Sequence, residues 1–250
     1  MNHAYKNATL KAAVALAVLL CIPSLGFAQV GLGMAASYTV LAGSTITNTG
    51  ATKITGDVGL SPGTAITGLP VGQPSGGAVH TGDAAAAQAK VDLGLAYIFL
   101  AGMPCGATMS GVDLGGQALG PGVYCFAAAA GLTGTLHLDA QGDTSAVFVF
   151  QIGSALTVAG NSKVILDNGA QIRHVWWKVG SSATLGIGSA MQGNVLAGAS
   201  ITLVTGASLA GRAMAAAGAV TLDTNILIGI GHTVTPTSRT SWSKVKAQYR

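Results

Sequence analysis

General acid–base chemistry needs paired carboxylates, or a carboxylate and a histidine, poised within hydrogen-bond reach of one bond. This 250-residue chain offers little of that kind: its 8 acidic residues are all Asp, and it has 5 His. Asp139 and Asp143 flank a glycine turn and read as turn formers rather than a catalytic pair. His137 and His174 are not at ligand spacing from a Cys or Asp set that could hold a metal. Ser37 and the other serines lack a nucleophile elbow, there is no phosphate loop, and Gly115-Gly116 is too short for a calcium-binding repeat. A polysaccharide lyase on a β-helix would need an acidic cluster with nearby Arg or Lys, which the chain does not supply. No catalytic residue, metal or cofactor is expected.

What recurs instead is threonine. Leu156, Leu185 with Ile187, Ile201 with Leu203, and Val220 with Leu222 alternate as inward residues, which turns Thr157, Thr184, Thr202 and Thr221 outward. Thr45, Thr47 and Thr49 repeat the pattern near the N-terminus, Thr133 does so after the cysteines, and Ser200 is a companion. Strands lie about 4.8 Å apart, so stacked outward threonines form a flat array of methyls and hydroxyls. Such an array can order water and match a crystalline surface. Gly186, Val204 and Asp223 are expected to interrupt it. Threonine is also an ordinary β-former, but exposed sheet usually carries Lys and Glu for solubility, and this side has neither.

The elements that hold these residues follow from a repeat. Val175-Trp-Trp-Lys-Val-Gly180, Asn194-Val-Leu-Ala-Gly198 and Arg212-Ala-Met-Ala-Ala-Ala-Gly218 each precede a short alternating strand. Their glycines lie 18 and 20 residues apart, a period that marks a solenoid of stacked coils. Residues 38–58 supply one coil of their own. Ser61-Pro-Gly63 and the stretch from Pro70 to Gly77 mark loops. Asp83 is the expected N-cap of a helix spanning about 83–102, with Ala84, Ala87, Val91, Leu95 and Ile98 on one face. Such a helix cannot sit inside a coil and must pack outside the stack. Val147-Phe-Val-Phe150 and Val175-Trp-Trp177 are apolar at both alternating positions, as a strand covered on both faces requires, and they mark the side the helix covers.

Residues 1–28 read as a secretory signal cleaved after Ala28: Lys6 and Lys11, an apolar run from Ala12 to Ile22, then Gly26-Phe-Ala28. The chain is therefore expected outside the cell. No later segment reads as a membrane span, and a monomer is expected. Cleavage leaves Cys105 and Cys125, which an oxidising compartment favours as one disulfide over a free pair. The body, 29–232, carries six Lys/Arg against eight Asp, whereas Arg239, Lys244, Lys246 and Arg250 crowd a basic tail over 233–250 expected to be flexible. A body without a basic face excludes nucleic-acid binding. The tail keeps a second reading open, an adhesive cell-surface solenoid that binds an envelope polymer.

Several stretches are similar to a large family of microbial ice-binding, or antifreeze, proteins. They are Leu41-Ala-Gly-Ser-Thr-Ile-Thr-Asn-Thr-Gly50 through Gly56-Asp-Val-Gly-Leu-Ser-Pro-Gly63, Pro121-Gly-Val-Tyr124, Leu132-Thr-Gly-Thr-Leu136, Val147-Phe-Val-Phe-Gln-Ile-Gly153, Val175-Trp-Trp-Lys-Val-Gly-Ser-Ser-Ala-Thr-Leu-Gly186 and Gly206-Ala-Ser-Leu-Ala-Gly-Arg212. The resemblance runs from about Ala35 to Ile228. It implies an all-β-dominated, right-handed, discontinuous triangular β-solenoid with one long helix alongside, the first coil packed beside the last. It also implies a flat face that binds ice, and a disulfide-bearing capping loop where Cys105 and Cys125 fall. On this reading the ice partner meets Thr45, Thr47, Thr49, Thr133, Thr157, Thr184, Ser200, Thr202 and Thr221, and growth and recrystallisation slow.

Overall fold

The computed structural model describes residues 30–231; the expected signal sequence and basic tail lie outside the described residues. Short strands separated by glycine-rich corners wind into coils whose strands all pair in parallel. Each coil contributes to three sides of a prism. One side, the threonine sheet, has the order Ala130–Leu132, Leu156–Val158, Ala183–Leu185, Ile201–Leu203, Val220–Asp223, Thr45–Thr49, Ala65–Thr67. A second side includes Tyr38–Ala42, Phe148–Ile152 and Val175–Val179 and carries the helix. The third includes Thr135–Asp139, Lys163–Asp167 and Ile226–Ile228.

The second and third sides join because Ala190–Ala197 and Ser208–Ala215 run unbroken round a corner. There Gly193 and Gly211 take φ of +108° and +140°. A Cβ on Gly211 would lie 1.9 Å from the Gly193 carbonyl oxygen, so the corner demands glycine in both coils. The stacking order departs from the chain order, as expected of a discontinuous solenoid. Tyr38–Ala42 pairs with Ser208–Ala215, Thr45–Thr49 with Val220–Asp223, and Lys53–Thr55 with Ile226–Ile228.

Alternation sorts the apolar residues into two cores. Inside the prism, Tyr124, Phe150 and Trp177 stack with ring centroids 5.4 Å and 4.1 Å apart. Outside it, Val123, Val149, Trp176, Leu196 and Met214 meet Ala89, Leu93, Ala96 and Leu100 of the helix. The strands read as apolar on both alternations are therefore covered on both faces.

Helix α1 (Ala84–Ala101) starts where the Asp83 carboxylate accepts the Ala86 N–H at 2.8 Å, and Gly102 is its C-cap. Its rotation corrects the sequence reading. Ala86, Ala89, Leu93, Ala96 and Leu100 face the sheet, while Ala84, Ala87, Val91, Leu95 and Ile98 face outward. An alanine-rich helix that is apolar nearly all round has several equivalent stripes, so periodicity could not choose among them. The polar residues choose. Lys90 Nζ donates to the Ala215 and Ala216 carbonyls, and Asp92 accepts the Met34 N–H at 2.7 Å. Both partners lie on the solenoid side. By length and composition α1 is also apolar enough to cross a membrane, contrary to the sequence reading; here it lies along the helix-side sheet.

A disulfide joins Cys105 and Cys125, Cα atoms 5.9 Å apart, and ties the segment after α1 to the strand Gly122–Phe126. Closing its 20-residue span contributes about 3 kcal/mol in the chain-entropy model. Cys105→Ser with Cys125→Ser is expected to lower unfolding stability by about that amount in a denaturant titration.

Candidate functional site

On the threonine sheet, the middle residue of Ala130–Leu132, Leu156–Val158, Ala183–Leu185 and Ile201–Leu203 faces out between two that face in, whereas Ala65–Thr67 turns Ile66 in and Thr67 out. Register then stacks the outward residues. Thr67 pairs with Thr47, Thr47 with Thr221, Thr221 with Thr202, Thr202 with Thr184, and Thr184 with Thr157. The row ends at Gly131, opposite Thr157. Six threonines in unbroken register span about 24 Å at the usual interstrand spacing. Beneath them Val220, Ile201, Ala183 and Leu156 are buried in one file, and Leu222, Leu203, Leu185 and Val158 in the other. This packed underside fixes the plane of the row.

The hydroxyls of this row make no hydrogen bond to protein within the described residues, whereas those of Thr39, Thr133, Thr205 and Thr224 do. The row therefore keeps its donors and acceptors for water. Its surroundings are nearly neutral. Asp223 stands beside it and pairs in register with Thr49, and Asp113 sits over its Gly131 end. Burial alone would raise the Asp113 carboxyl, but the Thr133 and Gly115 N–H groups and the Thr133 hydroxyl outweigh it and hold it below its ordinary value. By contrast, Lys53, Lys163, His137, Asp139 and Asp167 lie on the third side, with His137 Nδ1 2.7 Å from Asp167 Oδ2.

The sequence-derived set divides on this geometry. Thr47, Thr157, Thr184, Thr202 and Thr221 form the row. Thr45, opposite Ala65, and Thr49, opposite Asp223, flank it on the first coil. Ser200 is a corner residue whose hydroxyl accepts the Ala219 N–H at 3.1 Å. Thr133 is not at the equivalent position: Ala130 and Leu132 are the inward pair on that coil, so Gly131 takes the row position and Thr133 bonds to Asp113. Gly186 and Val204 follow their strands rather than breaking the row. Ile187, expected inward with Leu185, is exposed beyond the end of its strand.

Thr67 was missed. Ala65-Ile-Thr67 lies between two loop signals and is only three residues long, yet it repeats the small–apolar–Thr order of Ser200-Ile-Thr202. Asp139 and Asp143 are turn residues as read, accepting the Gln141 and Ser145 N–H groups at 2.7 and 2.8 Å. Among the described residues no group of three His, Cys, Asp or Glu comes together as metal ligands.

Residues 40–228 match the family model described as ice-binding-like. The chain is 50% identical over 195 residues to an ice-binding protein from Nostoc sp. (strain HG1), covering 78% of this chain and 72% of that protein. An ice-binding protein from the Antarctic ascomycete Antarctomyces psychrotrophicus superposes with a TM-score of 0.77 at 42% identity, over 80% of this chain and 98% of the other. A domain of Shewanella frigidimarina ice-binding protein 1 gives 0.74 at 30% identity, over 82% and 99%.

Proposed function

The chain belongs to the ice-binding-like family of microbial proteins, and from that premise we propose that it is a secreted ice-binding protein that adsorbs through its threonine sheet. The family is one of ice-binding proteins, not enzymes. The observation that carries the choice of face is the unbroken register from Thr67 to Thr157, whose hydroxyls are left to water. Methyls at fixed spacing exclude and order water between them, while the hydroxyls hydrogen-bond to it. A buried methyl or methylene contributes about 0.8 kcal/mol, so no single threonine holds the crystal and the array must act together. Adsorbed molecules force the surface between them to curve, and growth and recrystallisation slow. The monomer expected from the sequence already carries the whole face.

Ice-affinity capture tests this reading. The purified protein should partition into a slowly growing ice hemisphere, and a chain lacking residues 233–250 should be captured equally. Capture lost with the tail alone would favour the adhesive reading instead. Position along the row should grade the effect. Thr67→Tyr, at the end, should reduce thermal hysteresis by roughly half, and Thr133→Tyr, off the row, should leave it near wild type, because contact is lost only where bulk opens a gap.

The neutrality of the face adds a pH expectation. Asp113 has a lowered value in the fold, so its stabilisation is fully present above its unfolded value and is lost only as pH falls through the folded one. Both lie in the acidic carboxylate range. Hysteresis should therefore stay constant from about pH 5 to 9; a titration with a midpoint inside that window would count against a threonine site.

A further inference from the structure

The strongest feature that ice adsorption leaves unused is a buried cation without a counter-ion. Arg212 is only 7% exposed. Its Nε and Nη2 donate to the Ala36 carbonyl, and its Nη1 donates to Asn194 Oδ1 at 2.8 Å. A guanidinium has five N–H donors, so one hydrogen on each terminal nitrogen has no protein acceptor. The chain's eight acidic residues all lie between Asp57 and Asp223, and no carboxylate comes within 4 Å of Arg212 or Arg173. Burial pulls the Arg212 guanidinium down to about 10, which still leaves it charged at neutral pH. Buried charges are ordinarily paired, and here no side chain supplies the partner.

Arg212 lines a cavity of about 470 Å³, a size usual for small-molecule sites. It lies where the N-terminal segment meets the helix-side sheet. Leu32, Val147 and Trp176 give it apolar walls, and Arg173 and His174 complete the polar part. Trp176 and Arg212 stand in one file across the sheet, with buried Asn194 in register between them. Arg173 is exposed and brings a second cation. The His174 Nδ1 is shielded from solvent and bonds to no protein group. Burial and the neighbouring Arg173 hold this imidazole below its ordinary value, so it is neutral at pH 7. Asp143, the carboxylate that acts on His174, spends Oδ1 on the Ser145 N–H and hydroxyl. Two guanidiniums and an unpartnered imidazole nitrogen beside apolar walls fit one anionic head on an apolar body. We infer that this cavity binds a small organic carboxylate, its head group on Arg212 and Arg173 and its body against Trp176, Val147 and Leu32. A planar guanidinium matches a carboxylate, whereas inorganic phosphate would leave the indole and the aliphatic walls uncovered. The cavity and the threonine row occupy different sides of the prism, so a bound ligand leaves the row open.

Isothermal titration calorimetry of the purified protein with 3-phenylpropionate at pH 7 tests this. Binding is expected with a dissociation constant on the order of 0.1–1 mM, ordinary for so small a ligand. The matching amide, 3-phenylpropanamide, and inorganic phosphate should each bind at least about ten-fold more weakly, since one lacks the charge and the other the apolar body. Arg212→Gln should abolish binding. Arg212 also holds the Ala36 carbonyl, so Arg173→Gln, at an exposed position, supplies a variant that keeps the fold. It should weaken binding about three-fold or more with the melting temperature unchanged. Ice capture should be the same with saturating ligand as without it; loss of capture would place the ligand on the threonine sheet and overturn the inference. So would no binding up to about 10 mM, an amide or phosphate bound as tightly as the carboxylate, or an affinity indifferent to Arg173→Gln. Binding that requires removal of residues 233–250 would assign Arg212 to the chain's own C-terminal carboxylate and would overturn it equally.

Discussion

Thr202→Tyr is expected to abolish thermal hysteresis while leaving the protein folded. Thr202 sits between Thr221 and Thr184 in the middle of the row, and its side chain points to solvent over buried Ile201 and Leu203. The added ring has no core atoms to disturb, so unfolding stability should move by no more than the roughly 0.5 kcal/mol typical of surface changes. Against a flat crystal the same ring is a spacer of several ångströms. Dispersion contacts lose a quarter to a half of their strength at a gap of about 0.5–1 Å, so neighbouring threonines lose their hold as well. The expected reading is a fall of at least about ten-fold, which single-crystal observation in a nanolitre osmometer resolves. Thr184→Tyr should behave alike. Lys163→Tyr on the third side is the control. Full activity in both threonine variants, with loss in Lys163→Tyr, would move the site to that side.

The largest stability effect is expected at Trp177. It is fully buried, stacks on Phe150 at 4.1 Å, and donates its Nε1–H to the Gln192 carbonyl at 2.9 Å. Trp177→Ala removes the middle of the prism and leaves that carbonyl without its donor. Large-to-alanine changes of this kind cost about 3–5 kcal/mol, a large share of the roughly 5–15 kcal/mol that holds a domain together. Calorimetry should show a drop of about 10–15 °C for a domain of this size. Any residual ice capture below that melting point would come from an intact row, because Trp177 and the threonines belong to different sides of each coil.

The coil period, the glycine corners, the doubly apolar strands and the extent of the helix are all legible in the sequence, because each rests on local alternation. What escapes depends on register between distant segments. Ala65-Ile-Thr67 is too short to show a period, and only pairing with Thr45–Thr49 places Thr67 at the end of the row. Gly131 and Thr133 are two residues apart and share one face, so alternation cannot choose between them; only the pairing of Gly131 with Thr157 shows which stands in the row. Helix rotation escapes for another reason. Val91, Leu95 and Ile98 are as apolar as Leu93 and Leu100, and the choice between them rests on Lys90 and Asp92 finding partners far away in sequence.

The junction of Thr47 with Thr221 joins residues 174 positions apart in the chain. A ribosome or a translocation channel delivers the N-terminal strands long before the strand that must receive them exists. Until Val220–Asp223 emerges, Thr47 and Thr67 form a separate fragment, and the continuous row cannot be assembled at all. Pairing of such distant partners is intrinsically slow, and the row is continuous only once this junction has formed. A chain cut short before that strand lacks the link between the two halves of the row, whatever the number of threonines it retains.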